Sequence, residues 1–107
     1  SNLTSVVIGN SVTCVDLYAF YNCSNLTSVV IGNSVTNIKS GVFDECYNLT
    51  KITCLATTPP TIDSDTFSNY SADLYVPVRC KSAYQSANYW KNFNIIIDDI
   101  IITNIKF

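Results

Sequence analysis

Thirteen residues, SNLTSVVIGNSVT, occupy positions 1–13 and occur again, letter for letter, at positions 24–36. This spacing of 23 residues divides the beginning of the chain into two equal units, 1–23 and 24–46. A looser third unit covers 47–71, with one residue inserted near Pro59-Pro60, and a degenerate strand follows at 72–77. One such unit cannot bury its apolar face alone, whereas stacked copies share a continuous core. The repeat therefore predicts a solenoid.

Each unit begins with apolar residues at the spacing of a strand. In the second unit they are Leu26, Val29 and Ile31, with Ser28 and Val30 between them. Because side chains alternate between the two faces of a strand, we predict that Leu26, Val29 and Ile31 face the core. Ser28 and Val30 then face solvent, and the fold class is a β-rich solenoid.

Composition limits the partners of the chain. Its 107 residues carry a net charge of −2, and the six Lys and Arg residues are scattered singly, which opposes binding to nucleic acid or to an anionic membrane. No apolar run approaches the roughly 20 residues of a membrane span, so we expect no span in this stretch. The chain contains no Met and opens inside a repeat unit. We interpret it as a piece of a longer protein.

Residues that could carry catalysis or hold a metal are sparse. The chain has no His, which removes the commonest general base and metal ligand. Asp63 with Asp65, and Asp98 with Asp99, lack the other ligands of a calcium loop, and we interpret both pairs as solvated turns. No spacing places two carboxylates across a cleft, as glycoside hydrolysis requires. We predict that the chain is not an enzyme and has neither metal nor cofactor.

Two segments carry a resemblance to a known family. CSNLTSVVIGNSVTNI (23–38) followed by VFDEC (42–46) resembles the leucine-rich repeats of the BspA-like type, which occur in bacterial and protist surface proteins. LYVPVRCKSAYQSANYWKNF (74–93) resembles the segment that commonly closes such arrays. The resemblance implies leucine-rich repeat coils of about 23 residues over 1–77 and a C-terminal helical cap within 78–97. Residues 98–107 are then a terminal strand or the start of a following domain.

The capping segment can also be analysed by its periodicity. Ala83, Ala87 and Trp90 fall at i, i+4 and i+7, with Tyr84 and Phe93 beside them, and this spacing predicts one apolar helical face. Such a face would cover the last coil, which would otherwise expose its core to water. An aromatic patch for carbohydrate is the alternative interpretation of the same residues.

Five cysteines, an odd number without a Cys-x-x-Cys pair, indicate neither a disulfide framework nor a zinc site. The resemblance places Cys23 and Cys46 at an inward-facing position, and Cys54 stands where a core Ile is expected. We predict that these three are buried free thiols. The environments of Cys14 and Cys80 stay open.

Asn2, Asn25 and Asn48 begin glycosylation sequons at one repeat phase. Stacked coils would bring them to about 5 Å, too close for bulky glycans. We therefore interpret the sequons as by-products of the repeated NLT.

The candidate site is the outward ladder of the strands, since the resemblance implies that partners contact the concave sheet face. Its residues are Ser5, Val7, Ser28, Val30, Lys51, Thr53 and Tyr75, with Asp73 at a looser position. The resemblance also implies a cell-surface or secreted protein that adheres to a protein partner on a host, on another cell or in the extracellular matrix. A structural spacer without a ligand and a carbohydrate-binding accessory module of a larger enzyme are the alternatives. We further expect self-association through the N-terminal edge, where an unpaired strand can recruit a partner.

Overall fold

Two parallel sheets form the walls of the protein, in a computed structural model that describes residues 2–101. In chain order the strands are β1 (Ser5–Ile8), β2 (Cys14–Val15), β3 (Ser28–Ile31), β4 (Asn37–Ile38), β5 (Lys51–Cys54), β6 (Thr61–Ile62), β7 (Asp73–Pro77) and β8 (Ile95–Ile100). One sheet has the order β1-β3-β5-β7-β8, and the other has the order β2-β4-β6. The chain alternates between the sheets and advances by one strand in each coil. This confirms the predicted solenoid.

The register follows the repeat. Ser5 pairs with Ser28 and Val7 with Val30, so equivalent residues of the first two units are neighbours across the sheet. In the shorter sheet Ile38 pairs with Ile62, a spacing of 24 residues. The extra residue near Pro59-Pro60 is therefore absorbed in the connection between β5 and β6, as predicted.

Alternate residues of each strand build the core. Leu26, Val29 and Ile31 are buried, whereas Ser28 and Val30 on the opposite face are half-buried. Both parts of the strand prediction are thus confirmed. A column of phenylalanine rings runs through the same core, with Phe20 and Phe43 stacked at 5.6 Å and Phe43 and Phe67 at 5.3 Å between ring centroids.

The repeated Asn-Leu-Thr is used to join coils. The Thr27 N–H donates to the Thr4 carbonyl at 2.9 Å, and the Thr50 N–H donates to the Thr27 carbonyl at 3.0 Å. The hydroxyls of Thr27 and Thr50 donate to the same two carbonyls. Asn48 Nδ2 donates to the Ser24 carbonyl at 2.7 Å. These contacts support the interpretation of the NLT sequons as structural residues.

A short helix and a 3-10 turn cover the last coils, but the buried face differs from the prediction. Helix α1 comprises only Lys81–Ser86, and Ala87 is already extended, so Ala83, Ala87 and Trp90 do not lie on one helix. Ala83 is exposed, and the fully buried residue of α1 is Tyr84. Trp90 is buried from the following turn, Trp90–Asn92. The periodicity failed because it assumed one continuous helix.

Buried polar groups attach this cap to the irregular third coil. The Tyr84 hydroxyl donates to the Ala56 carbonyl at 2.6 Å, and Trp90 Nε1 donates to the Pro60 carbonyl at 2.8 Å. Strand β8 then pairs in parallel with β7 and crosses positions 97 and 98, where the capping segment was expected to end. Of the segment 98–107, residues 102–107 lie outside the described residues.

Candidate functional site

The outer face of the five-stranded sheet carries two rows of side chains, each with one residue from every strand. The first row is Ser5, Ser28, Lys51, Asp73 and Ile95. The second row is Val7, Val30, Thr53, Tyr75 and Ile97. Because neighbouring strands lie about 4.8 Å apart, each row spans roughly 19 Å. We call the two rows together the sheet face.

The second row is mostly apolar although it lies on the surface. Val7 is 74% exposed, and Val30, Tyr75 and Ile97 are half-buried. Thr53 at the centre is the row's one hydroxyl-bearing aliphatic residue. An apolar strip of this kind on a soluble sheet is where a partner can remove the most surface from water.

The first row is more polar, and its charges lie near the centre. Lys51 and Asp73 are neighbours in the register of β5 and β7. Lys51 Nζ lies 5.0 Å from the centroid of the Tyr75 ring, within the range of a cation–π contact. Lys51 therefore covers part of Tyr75, which restricts the ring that offers the largest contact area on the face.

All seven predicted ligand-binding residues lie on this one face, in the register that the repeat implies. The face also includes Ile95 and Ile97, which the sequence analysis did not assign. Their signal was the alternation in NIIID (94–98), but the role of that segment was left open between a strand and a new domain. Ile95 is 50% exposed and extends the face by one strand beyond Tyr75.

The cysteines are separate from the sheet face and pair with no other cysteine. Cys23, Cys46 and Cys54 are buried and free, as predicted, whereas Cys14 is exposed and Cys80 is half-buried. Burial raises the pKa of the Cys54 thiol to about 11, so this thiol stays protonated at neutral pH. The Tyr84 hydroxyl lies 3.2 Å from Cys54 Sγ, and burial raises the tyrosine's pKa as well.

Metal binding and membrane insertion find no structural support in the part of the chain that the structure describes. Over residues 2–101, no group of three or more Asp, Glu, Cys or His side chains is arranged to hold a metal ion. Within the same residues, no helix has both the length and the apolar character needed to cross a bilayer. The arrangement can offer a contact surface, with apolar, hydroxyl and charged groups side by side.

Comparison with known proteins gives one finding. The family model described as "BspA type Leucine rich repeat region (6 copies)" matches residues 1–106. The match therefore includes the repeat units, the cap and β8. No curated protein matches the chain.

Proposed function

Because the chain belongs to the BspA-type leucine-rich repeat family, we propose that it is a non-catalytic module that binds a protein partner through the sheet face. The family is associated with surface and secreted proteins. In this proposal the module acts at the cell surface or after secretion and mediates adhesion to a host protein, to the extracellular matrix or to another cell. The ligand-binding residues are Ser5, Val7, Ser28, Val30, Lys51, Thr53 and Tyr75.

The observation that carries the proposal is the second row of the sheet face. Four of its five side chains are apolar or aromatic, and they form a continuous strip across all five strands. These residues contribute little to the core, since they point away from it. Tyr75 is the proposed anchor, because it combines a large apolar ring with a hydroxyl and is restrained by Lys51.

The experiment uses the double variant Tyr75→Ala with Val30→Lys. Binding to partner cells and to a panel of immobilised extracellular-matrix proteins is measured by surface plasmon resonance and by cell attachment. We expect the affinity to fall at least tenfold, since loss of an aromatic anchor typically costs about 2 kcal/mol or more. The melting temperature should change little, because neither side chain lies in the core.

Tyr47→Ala is the matched control, since Tyr47 is 66% exposed and lies in a turn away from the sheet face. It should bind as the unaltered protein does. If the folded double variant adheres normally, the sheet face is not the ligand site and the spacer interpretation is favoured.

We also propose self-association through the end formed by the first coil. β1 and β2 are the edge strands of their sheets, and Val12 and Phe20 of this coil remain half-buried. The other end is covered by Trp90 and its neighbours, so two copies can bury apolar surface only by pairing their first coils. Light scattering after gel filtration should give a concentration-dependent dimer that does not grow into fibres. A monomer at high concentration with protected amides over residues 3–8 contradicts this.

A further inference from the structure

A second exposed apolar cluster lies in the turn that follows β2. Leu17, Tyr18 and Tyr21 are 53%, 55% and 44% exposed. The two tyrosine rings meet edge to face, with 5.6 Å between centroids. We call Tyr18 and Tyr21 the tyrosine pair; it lies outside the sheet face and has no part in the function proposed above.

Tyr18 has an unfavourable backbone conformation that the next coil avoids. Its φ is +58°, in the left-handed region that strongly disfavours bulky side chains. The equivalent position one coil later is Gly41, with φ +75°. A glycine would therefore satisfy this turn without strain. A strained residue that also exposes a large ring is more readily explained by a contact to be made than by stability.

Gly41 also fixes the position of the Tyr18 ring. A Cβ atom at Gly41 would lie 2.1 Å from Tyr18 Cδ1 and 2.2 Å from Cε1, so the ring rests directly on the glycine backbone. The Tyr18 N–H donates to the Ser40 carbonyl at 3.1 Å, which ties the same residue to the second coil. One side of the ring is thus supported while more than half of the side chain stays accessible.

Hydrogen bonds hold the second ring. The Tyr21 hydroxyl donates to the Glu45 carboxylate, and this bond raises the pKa of Tyr21 to about 12. The Glu45 N–H donates to Ser68 Oγ at 2.8 Å, and the Ser68 hydroxyl in turn donates to the Asp44 carboxylate. The pair is therefore an ordered surface rather than two loose side chains.

The surroundings of the pair are acidic. Asp44 and Glu45 adjoin Tyr21, and Asp65 accepts a hydrogen bond from Ser40 Oγ at 2.5 Å beside Tyr18. Asp16 lies on the other side, where Lys39 approaches it at 3.7 Å. Four carboxylates thus surround the rings against one ammonium, so the field over the exposed aromatic surface favours a cation.

We propose that the tyrosine pair binds an arginine side chain from an extended basic segment of a partner protein. A guanidinium group can stack on an aromatic face and at the same time donate two hydrogen bonds to a carboxylate such as Glu45. A lysine ammonium can do only part of this. A neutral sugar would gain nothing from the acidic surroundings, so the basic segment fits better.

The test uses a fluorescein-labelled peptide of alternating arginine and glycine, measured by fluorescence anisotropy against the full chain. Matched lysine–glycine and glutamate–glycine peptides separate guanidinium recognition from charge attraction. We expect the arginine peptide to bind several-fold more tightly than the lysine peptide, and the glutamate peptide not to bind.

Tyr18→Gly is the decisive variant, because it installs the residue that the second coil has at this position. The affinity for the arginine peptide should fall about fivefold, the size expected for an exposed cation–π contact, while the melting temperature stays the same or rises. Glu45→Gln should weaken binding by a similar factor at low salt. Tyr47→Ala and the sheet-face double variant should leave arginine-peptide binding unchanged.

Several results would overturn the proposal. They are no binding of the arginine peptide, equal binding of the lysine peptide, and an affinity that Tyr18→Gly leaves intact in the folded protein. Because the sheet-face variant is measured in the same assay, failure here is distinguishable from failure of the proposed adhesive function.

Discussion

The two copies of the repeated stretch have identical residues and different environments. Leu3 of the first copy is 45% exposed, whereas Leu26 of the second copy is fully buried. Val12 is half-buried, whereas Val35 is 2% exposed. The backbone conformation and the register are shared, so neither explains the contrast. What differs is that the second copy has a coil on each side and the first copy has one.

This contrast shows that burial in the solenoid is a property of stacking and not of the residue. Each coil shields the core face of the next, and its own exposed face is shielded in turn. Substitutions at equivalent positions of the two copies should therefore have unequal effects on stability. Four such comparisons follow, from the largest expected effect to the smallest.

Replacing Val29 with lysine should unfold the protein at room temperature, because Val29 is 1% exposed and an unpaired buried charge costs about 3–5 kcal/mol. Val6→Lys, at the same position of the first copy, should leave a folded protein with a lower melting temperature, since the half-buried side chain can reach solvent. Circular dichroism melts check both. Equal losses would mean that the first coil is as enclosed as the second.

Gly32→Ala and Gly9→Ala should have effects of opposite sign. A Cβ at Gly32 would lie 2.5 Å from the Gly9 carbonyl oxygen, so the coils would have to separate, at about 3 kcal/mol. A Cβ at Gly9 meets nothing within 4 Å, and alanine there should raise stability by about 0.5 kcal/mol by restricting the unfolded chain. Urea denaturation measures the two differences. A destabilising Gly9→Ala would indicate a coil packed against the first one.

The capped end should respond to alkaline pH through Cys54, which occupies the position of Ile31 in the next coil. Burial raises its pKa from 9.0 to about 11, so the folded state holds the thiol proton more firmly than the unfolded state does. Its contribution is complete below pH 9 and declines as the pH rises toward 11. Between pH 8 and 10.5 the unaltered protein should lose about 2 kcal/mol more than Cys54→Val. Parallel urea curves test this, and identical losses would contradict it.

Val30→Lys and Val7→Lys should change the free energy of unfolding least, by about 0.5 kcal/mol or less each. Both side chains lie on the sheet face, so the difference between the two copies should nearly vanish there. Val30→Lys also tests the register beside Val29→Lys, because a shift of one residue would exchange the two outcomes. Urea denaturation of the two variants provides the measurement.

The fold was largely predictable because the repeat makes each residue's neighbour a residue of known identity. Once Val29 is assigned to the core, Val6, Ile52 and Leu74 follow from the spacing alone. The seven sheet-face residues were found in the same way. Cys54 was also placed correctly, since its position in the unit is that of an isoleucine.

The parts that the sequence did not reveal are those that the repeat does not cover. Tyr84 was missed as the buried residue of α1, because nothing in the sequence marked the end of the helix at Ser86. The tyrosine pair was missed because Tyr18 differs from its equivalent, Gly41, and a period carries no information about its own exceptions. The exposure of Leu3 is invisible for the opposite reason, since its letters are those of a buried copy.

The phenylalanine column gives the array a preferred place for evolutionary change. Phe20, Phe43 and Phe67 stack nearly parallel, with interplanar angles of 8° and 13°, whereas Phe67 meets Trp90 at 57° and Phe93 at 77°. An in-frame duplication of one unit before Phe67 would insert a ring between two parallel neighbours. The same duplication after Phe67 would place a ring against a tilted pair. Recombination can therefore lengthen or shorten this lineage on one side of the third coil, while the other side stays fixed.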